Sequence, residues 1–307
     1  MPDLSIGYLN LQEKDPYEMM ESISWIKNVV LASCEDITLR FGNKYICPLF
    51  ALIIMALNDE MGKKDLHLCF RPTDIDKNPE MYRFIYESGL LDTMAKQTQA
   101  VVEKHRKSIP TLSAIERRVV THTIDLKQLN NLPPKEQHDK ALEEAFAALS
   151  TIKDAIKQDD LIAFACKLIE LFNNAMFHSS TADKAYSIAV QLRDSSYLVA
   201  IYDLGIGIPG AYNRYRDATI SSLNLGEKTD EEAILWATQK GNSTLQLEDG
   251  FSRGVGLSCL KDFIKRYKGS FIIASNHGYY CYEKGQEYIE KLTGEINGTL
   301  LMLKIPQ

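Results

Sequence analysis

A chain of 307 residues that is 45% hydrophobic and 25% charged has the material for a substantial core and for two domains, which argues against disorder as its main state. Its formal net charge of -6 excludes a general electrostatic attraction to nucleic acid or to an anionic membrane. The cysteines, Cys34, Cys47, Cys69, Cys166, Cys259 and Cys281, are dispersed, with no Cys-x-x-Cys pair and no histidine cluster at zinc spacing, so neither a disulfide framework nor a structural metal is signalled.

The first residues, MPDLSIGYLNLQEKDPYE, place acidic groups where a signal peptide needs a basic start and a long apolar stretch. The apolar run from Tyr45 to Leu57 is interrupted by Pro48 and falls well short of the roughly 20 residues that a membrane span requires. Both features predict a soluble cytoplasmic protein. Ile37 to Phe41 and His67 to Phe70 read as strands. Between them Pro48 opens a helix in which Leu49, Ile53, Ile54 and Leu57 recur at helical spacing until Met61 and Gly62, and Asn78-Pro79-Glu80 starts another through Tyr82, Phe84, Ile85 and Tyr86. This β-α-β-α order resembles a STAS-like domain, the small α/β module of anti-sigma-factor antagonists, and is assigned to residues 1–103.

Residues 104–144 read as a connector and helical segment, broken by the turn Asn130-Asn131-Leu132-Pro133-Pro134, and Ala141 to Ile156 carries helix formers at amphipathic spacing. Lys184 to Leu192 and Tyr197 to Tyr202 are β-rich runs separated by Arg193-Asp194-Ser195-Ser196, an antiparallel hairpin. A polar, irregular segment is expected from Asn213 to Arg253, then a helix from Gly256 to Tyr267 ended by Gly269. Ser270 to Ser275, Gly278 to Tyr282 and Gly298 to Ile305 read as the last strands.

Chemistry concentrates in this C-terminal part. The stretch LIELFNNAMFHS, Leu168 to Ser179, is an amphipathic helix; at about 100° per residue Glu170, Asn174, Phe177 and His178 share one side, opposite Leu168, Leu171, Phe172, Ala175 and Met176. A carboxylate and an amide four residues apart can face one ligand, although a solvated polar face has the same pattern. DLGIGIP places Asp203 at a strand end before two glycines that permit a tight turn and close approach of a flat ligand. GFSRGVGLS leads a glycine-rich loop into a helix start, where free N–H groups and the helix dipole favour phosphate.

In this order the segments resemble the GHKL ATP-binding superfamily of gyrase, chaperone, histidine-kinase and MutL type. ELFNN is similar to its N box, DLGIGIP and GFSRGVGLS to its glycine boxes, and Gly298-Thr299 to the Gly-Thr pair that closes the adenine pocket. The resemblance assigns residues 145–307 to such a domain. It implies a two-layer α/β sandwich, the Bergerat ATP-binding fold, in which helices cover a mixed sheet. It implies ATP and Mg2+ as cofactors, with Asn174 on the magnesium, Asp203 on the adenine amine and Thr299 supporting it through water. Gly205 and Gly207 would line the base pocket, and Gly254 and Gly256 would offer N–H groups to the phosphates. His178 would touch phosphate, or stand as a surface histidine at the helix end, and Lys240 and Arg253 would reach the terminal phosphate from a lid. Glu170 stands where ATPase and serine-kinase branches hold the carboxylate that polarises the attacking water or hydroxyl.

The leading expectation is a magnesium-dependent ATP-binding regulatory protein, a slow ATPase whose nucleotide state moves a lid and alters the binding of a protein partner; homodimerisation stays open. An anti-sigma-type serine kinase in a partner-switching system and a non-catalytic interaction protein with a vestigial nucleotide site are the alternatives. Histidine autophosphorylation is disfavoured because neither His105 nor His122 has a following acidic partner in a helical context, and Tyr45-Ile46-Cys47-Pro48 lacks the Ser or Thr that phosphorylated antagonists carry.

Overall fold

A computed structural model describes residues 3–5, 16–35, 37–40, 48–62, 64–65, 68–70, 119–125, 131–152, 156–178, 185–193, 195–219, 226–242, 244 and 256–306. In chain order the elements are β1 (Asp3–Ser5), α1 (Pro16–Ala32), β2 (Ile37–Arg40), α2 (Pro48–Gly62), β3 (Leu68–Phe70), β4 (Val119–Asp125), α3 (Pro134–Leu149) with a short 3-10 turn (Ser150–Ile152), and α4 (Gln158–His178). They continue as β5 (Ala185–Arg193), β6 (Ser196–Asp203), α5 (Gly207–Thr219), α6 (Asp230–Ala237), α7 (Gly256–Arg266), β7 (Ser270–Glu283) and β8 (Gln286–Pro306). The chain is therefore mixed α/β. The helix expected from Asn78 lies outside the described residues.

Strands β1, β2 and β3 form a parallel sheet in that order, while the larger sheet has the order β4-β5-β6-β8-β7. Every described pairing in the larger sheet is antiparallel, so it differs from the mixed sheet that the resemblance implies. Tight turns account for two of its four pairings. β5 and β6 are joined through Ser195 at φ 58°, and β7 and β8 through Lys284 at φ 50° and Gly285 at φ 85°, a turn whose positive φ values match the strand twist and return the chain antiparallel.

Strand β6 reads SYLVAIYD, apolar almost throughout, and such a run needs cover on both faces. Ala200 and Tyr202 point to a core shared with Ile272, Ala274, Leu300 and Met302 of the sheet and with Ile23, Ile26, Leu52 and Leu57 of α1 and α2. Tyr197, Val199 and Ile201 point to the opposite core, with Leu301, Leu303, Phe164 and Leu168 of α4 and Leu260 and Ile264 of α7. The helices assigned from sequence to the N-terminal segment thus share a core with the sheet of the C-terminal one. Each fully buried side chain of this kind contributes about 1.5–3 kcal/mol relative to exposure.

The sheet carries one marked irregularity. Ser275 stands opposite Thr299, Asn276 opposite Ile296, and Gly278 opposite Lys291, so the β7–β8 register shifts twice within a few residues. The shift turns β7 over: Phe271 and Ile273 face the α4–α7 core before it, Tyr280 and Tyr282 after it.

Some boundaries depart from expectation. β4 lies inside the stretch read as connector, because VVTHTID supplies β-branched residues for an edge strand. Helix α3 begins at Pro134 instead of Ala141, using the proline where its missing N–H costs nothing. At the end of α7, Lys268 takes the positive φ of 53°, with Lys268 N–H bonded to Lys265 C=O at 3.1 Å and Gly269 N–H to Ile264 C=O at 3.0 Å. Gly269 is required for space: a Cβ there would lie 2.1 Å from Lys304 O.

Candidate functional site

The end of β6 carries Asp203, whose register partner on β8 is Thr299, and Thr299 in turn faces Ser275 on β7. Gly298 makes this approach possible. It takes φ 87°, and a Cβ on it would stand 1.9 Å from Asp203 O and 3.0 Å from Leu204 Cα. Beyond the strand, Gly205 N–H donates to Asp203 Oδ1 at 2.7 Å, closing an Asx turn that sends the chain into α5. Gly207 opens that helix at φ 74°, where a Cβ would meet Asn276 Oδ1 at 2.4 Å and Ser275 Oγ at 2.6 Å.

Ser275 fastens the three segments together. Its fully buried hydroxyl accepts from Ile208 N–H at 2.9 Å and donates to Gly298 C=O at 2.7 Å, with Thr299 Oγ1 at 3.5 Å. One hydroxyl therefore satisfies both an orphan N–H of the first turn of α5 and the Gly298 carbonyl. On the other side of β6, Tyr202 donates to Asn297 C=O at 3.0 Å. Burial pushes its phenol pKa up, and the charges of Asp203 and Glu60 push the same way, so this hydroxyl stays a donor.

Asp203, Gly205, Gly207 and Thr299 are thereby brought to one corner. Ser275 and Asn276 belong to the corner too and were not singled out; the signal was Ser-Asn-His-Gly interrupting two β-rich runs, a mark of a bulge. Glu170, Asn174 and His178 lie on the C-terminal half of α4, which packs on the same side of the sheet as α7, and their side chains fall outside the described residues. Arg253 and Gly254 also lie outside them. Gly256 is the buried first residue of α7, a helix N-terminus whose dipole favours an anion.

The segment expected to be irregular from Asn213 holds the rest of α5 and all of α6, which is a correction. Thr229 Oγ1 accepts from Glu232 N–H at 3.4 Å and the Glu232 carboxylate accepts from Thr229 N–H at 2.9 Å, a capping box readable as Thr-x-x-Glu. Asp230 then accepts from His277 N–H at 2.9 Å, and Gly278 leaves room for it, since a Cβ there would lie 2.7 Å from Asp230 C. Tyr212 packs edge-on against Trp236 with ring centroids 5.0 Å apart and donates to Gly226 C=O at 2.8 Å. Lys240 is exposed in the turn that follows α6.

Among the described residues no group of three or more His, Cys, Asp or Glu is placed to hold a metal ion, no helix is long and apolar enough to cross a membrane, and Cys34, Cys166, Cys259 and Cys281 form no disulfide. The corner brings together the Asp203 carboxylate, the Ser275 and Thr299 hydroxyls and the backbone of Gly205, Gly207 and Gly298. No family model and no curated protein matches the chain.

Proposed function

We propose that this chain is a magnesium-dependent ATP-binding regulatory protein that hydrolyses ATP slowly and whose nucleotide state controls a partner-binding segment. The observation that carries the reading is the convergence of Asp203, Gly205, Gly207, Gly298 and Thr299, which come from two distant stretches of sequence and meet through Ser275. A carboxylate offers about four acceptor sites, so the turn bond to Gly205 is compatible with a second bond to an exocyclic amine.

Magnesium bound beside nucleotide phosphates needs only one or two protein oxygens, and the Asn174 amide is a donor of that kind. When bound, the ion would neutralise phosphate charge. Gly256 at the start of α7 would direct N–H groups to the phosphates. Glu170, one helical turn before Asn174, would take a proton from the water attacking the terminal phosphorus as ADP leaves.

Phosphate release and ATP titration on wild type, Glu170→Gln and Asn174→Ala test this reading. The glutamine variant is expected to bind ATP normally while turnover falls by on the order of 10²–10⁴, and the alanine variant to lose the magnesium dependence of binding. Turnover equal in wild type and Glu170→Gln would remove Glu170 from the chemistry; phosphate transferred to a partner instead of water would make the protein a serine kinase.

A further inference from the structure

Helix α1 lies along β8 where β7 does not. Between Ile296, opposite Asn276, and Lys291, opposite Gly278, the register shift takes β8 out of step with β7, and α1 supplies partners there. The Tyr17 hydroxyl donates to Lys291 C=O at 3.0 Å, the Glu21 carboxylate accepts from Thr293 N–H at 2.7 Å and from the Thr293 hydroxyl, and the Ser24 hydroxyl reaches Glu295 C=O at 3.5 Å. Successive turns of the helix thus meet alternate residues of the strand. Gly294 sets the distance, since a Cβ on it would stand 2.0 Å from Ser24 Oγ and 3.1 Å from Ser24 Cβ.

The next turn breaks the pattern. Lys27 is 5% exposed, and its Nζ is buried without a hydrogen-bond partner among the described residues. The charges facing it are Glu295 from β8 and Glu60 from α2, and burial outweighs both, pushing the ammonium down to about 8. Such a charge opposes the docking of the helix that carries it. Two residues past Glu295, the same strand takes the Tyr202 hydroxyl on Asn297 and then forms the Gly298-Thr299 corner opposite Asp203.

We propose that α1 is a positioning element of the nucleotide site: packed on β8 through Tyr17, Glu21 and Ser24 it holds residues 291–297 so that Gly298 and Thr299 are preformed beside Asp203, and the buried Lys27 charge loosens that packing without undoing it. The proposal rests on the ATP-binding reading of the corner. Local loosening of the α1–β8 contact frees the backbone groups of Lys291, Thr293 and Glu295 and relaxes the corner, so ATP and tightly packed α1 favour one another. By linkage, ATP protects α1 by the factor through which tight packing raises ATP affinity.

The test measures hydrogen exchange of α1 amides and calorimetric ATP–magnesium affinity on wild type, Gly294→Ala, Glu21→Ala, Lys27→Met and the Glu21→Ala/Lys27→Met double variant. Either loosening substitution is expected to speed α1 exchange at least about tenfold and to weaken ATP several-fold. Lys27→Met is expected to slow α1 exchange and, in the double variant, to restore ATP affinity, a rescue that simple damage to the fold would not give. Exchange of α7 amides, remote from α1, should stay within about twofold throughout. ATP affinity identical in all variants while α1 exchange changes overturns the coupling. Wild type that binds no ATP overturns the nucleotide reading itself, and the coupling with it, and is distinguished by α1 exchange that still responds to the substitutions.

Discussion

Alanine placed at three glycines separates backbone strain from close approach. Gly226 has nothing within 4 Å of a prospective Cβ and an ordinary φ, Gly285 takes φ 85° in open space, and Gly298 combines φ 87° with a Cβ position 1.9 Å from Asp203 O. Gly226→Ala should therefore be nearly neutral. Gly285→Ala should cost the left-handed penalty alone, about 1–2 kcal/mol. Gly298→Ala adds a contact between two backbones, which no side-chain rotation relieves. Parting β6 from β8 at Asp203 and Thr299 forfeits ladder bonds and the Ser275–Gly298 bond, about 1–3 kcal/mol further, for a total of about 2–5 kcal/mol. That is a large share of the roughly 5–15 kcal/mol by which domains are stable. Urea midpoints at unchanged m-value give the three costs directly. Equal costs for Gly285→Ala and Gly298→Ala would refute the close approach of β8 to Asp203.

Ser275→Ala strands the buried Gly298 carbonyl and the part-buried Ile208 N–H, and should cost about 1–3 kcal/mol in the same assay, whereas a cost under about 0.5 kcal/mol would mean that the hydroxyl does not join the segments. For Lys27, whose folded pKa lies below the unfolded value, the unfolded chain binds more protons between pH 8 and 10.5, so wild-type stability rises with pH across that window. The full gain is on the order of 3 kcal/mol, and Lys27→Met should be more stable at pH 7 by a similar amount and lack the rise. The buried tyrosines Tyr202 and Tyr280, whose pKa values are raised, oppose this above pH 10, so the comparison is made up to pH 9.5 by the difference between the two proteins. Parallel pH profiles for the two would remove the buried charge from the balance.

Sequence pattern located the elements whose environment repeats along them. α2 and α7 each bury one stripe, and β6 is apolar on both faces, so their periods survive in the residues. The first half of β8, QEYIEKLTGEIN, buries little except Leu292 and Ile296; it is a strand because β7 and α1 hold it, and no local period announces that. β6 also held an unused clue. A run buried on both faces demands a second layer, which α1 and α2 supply, but their apolar stripes say only that they bury and not against what. At the corner, the residues with special backbone needs, Asp203, Gly205, Gly207 and Gly298, stood out, while Ser275 looked like any small residue ending a strand because its role depends on two bonds formed across long sequence separations.

Asp203 is read as the acceptor for the adenine amine, and inosine triphosphate replaces that amine with a carbonyl while leaving sugar and phosphates alone. Calorimetric titration of wild type and Asp203→Asn with ATP and with inosine triphosphate, at saturating magnesium, isolates this one contact. A lost hydrogen bond to a charged group costs about 1.5–3 kcal/mol, or roughly tenfold to a hundredfold in affinity. Wild type is expected to prefer ATP by that factor, and Asp203→Asn to bind ATP correspondingly more weakly and to lose the preference. Equal affinities for the two nucleotides in wild type, or ATP affinity unchanged in a folded Asp203→Asn protein, would contradict the assignment of this corner as an adenine site.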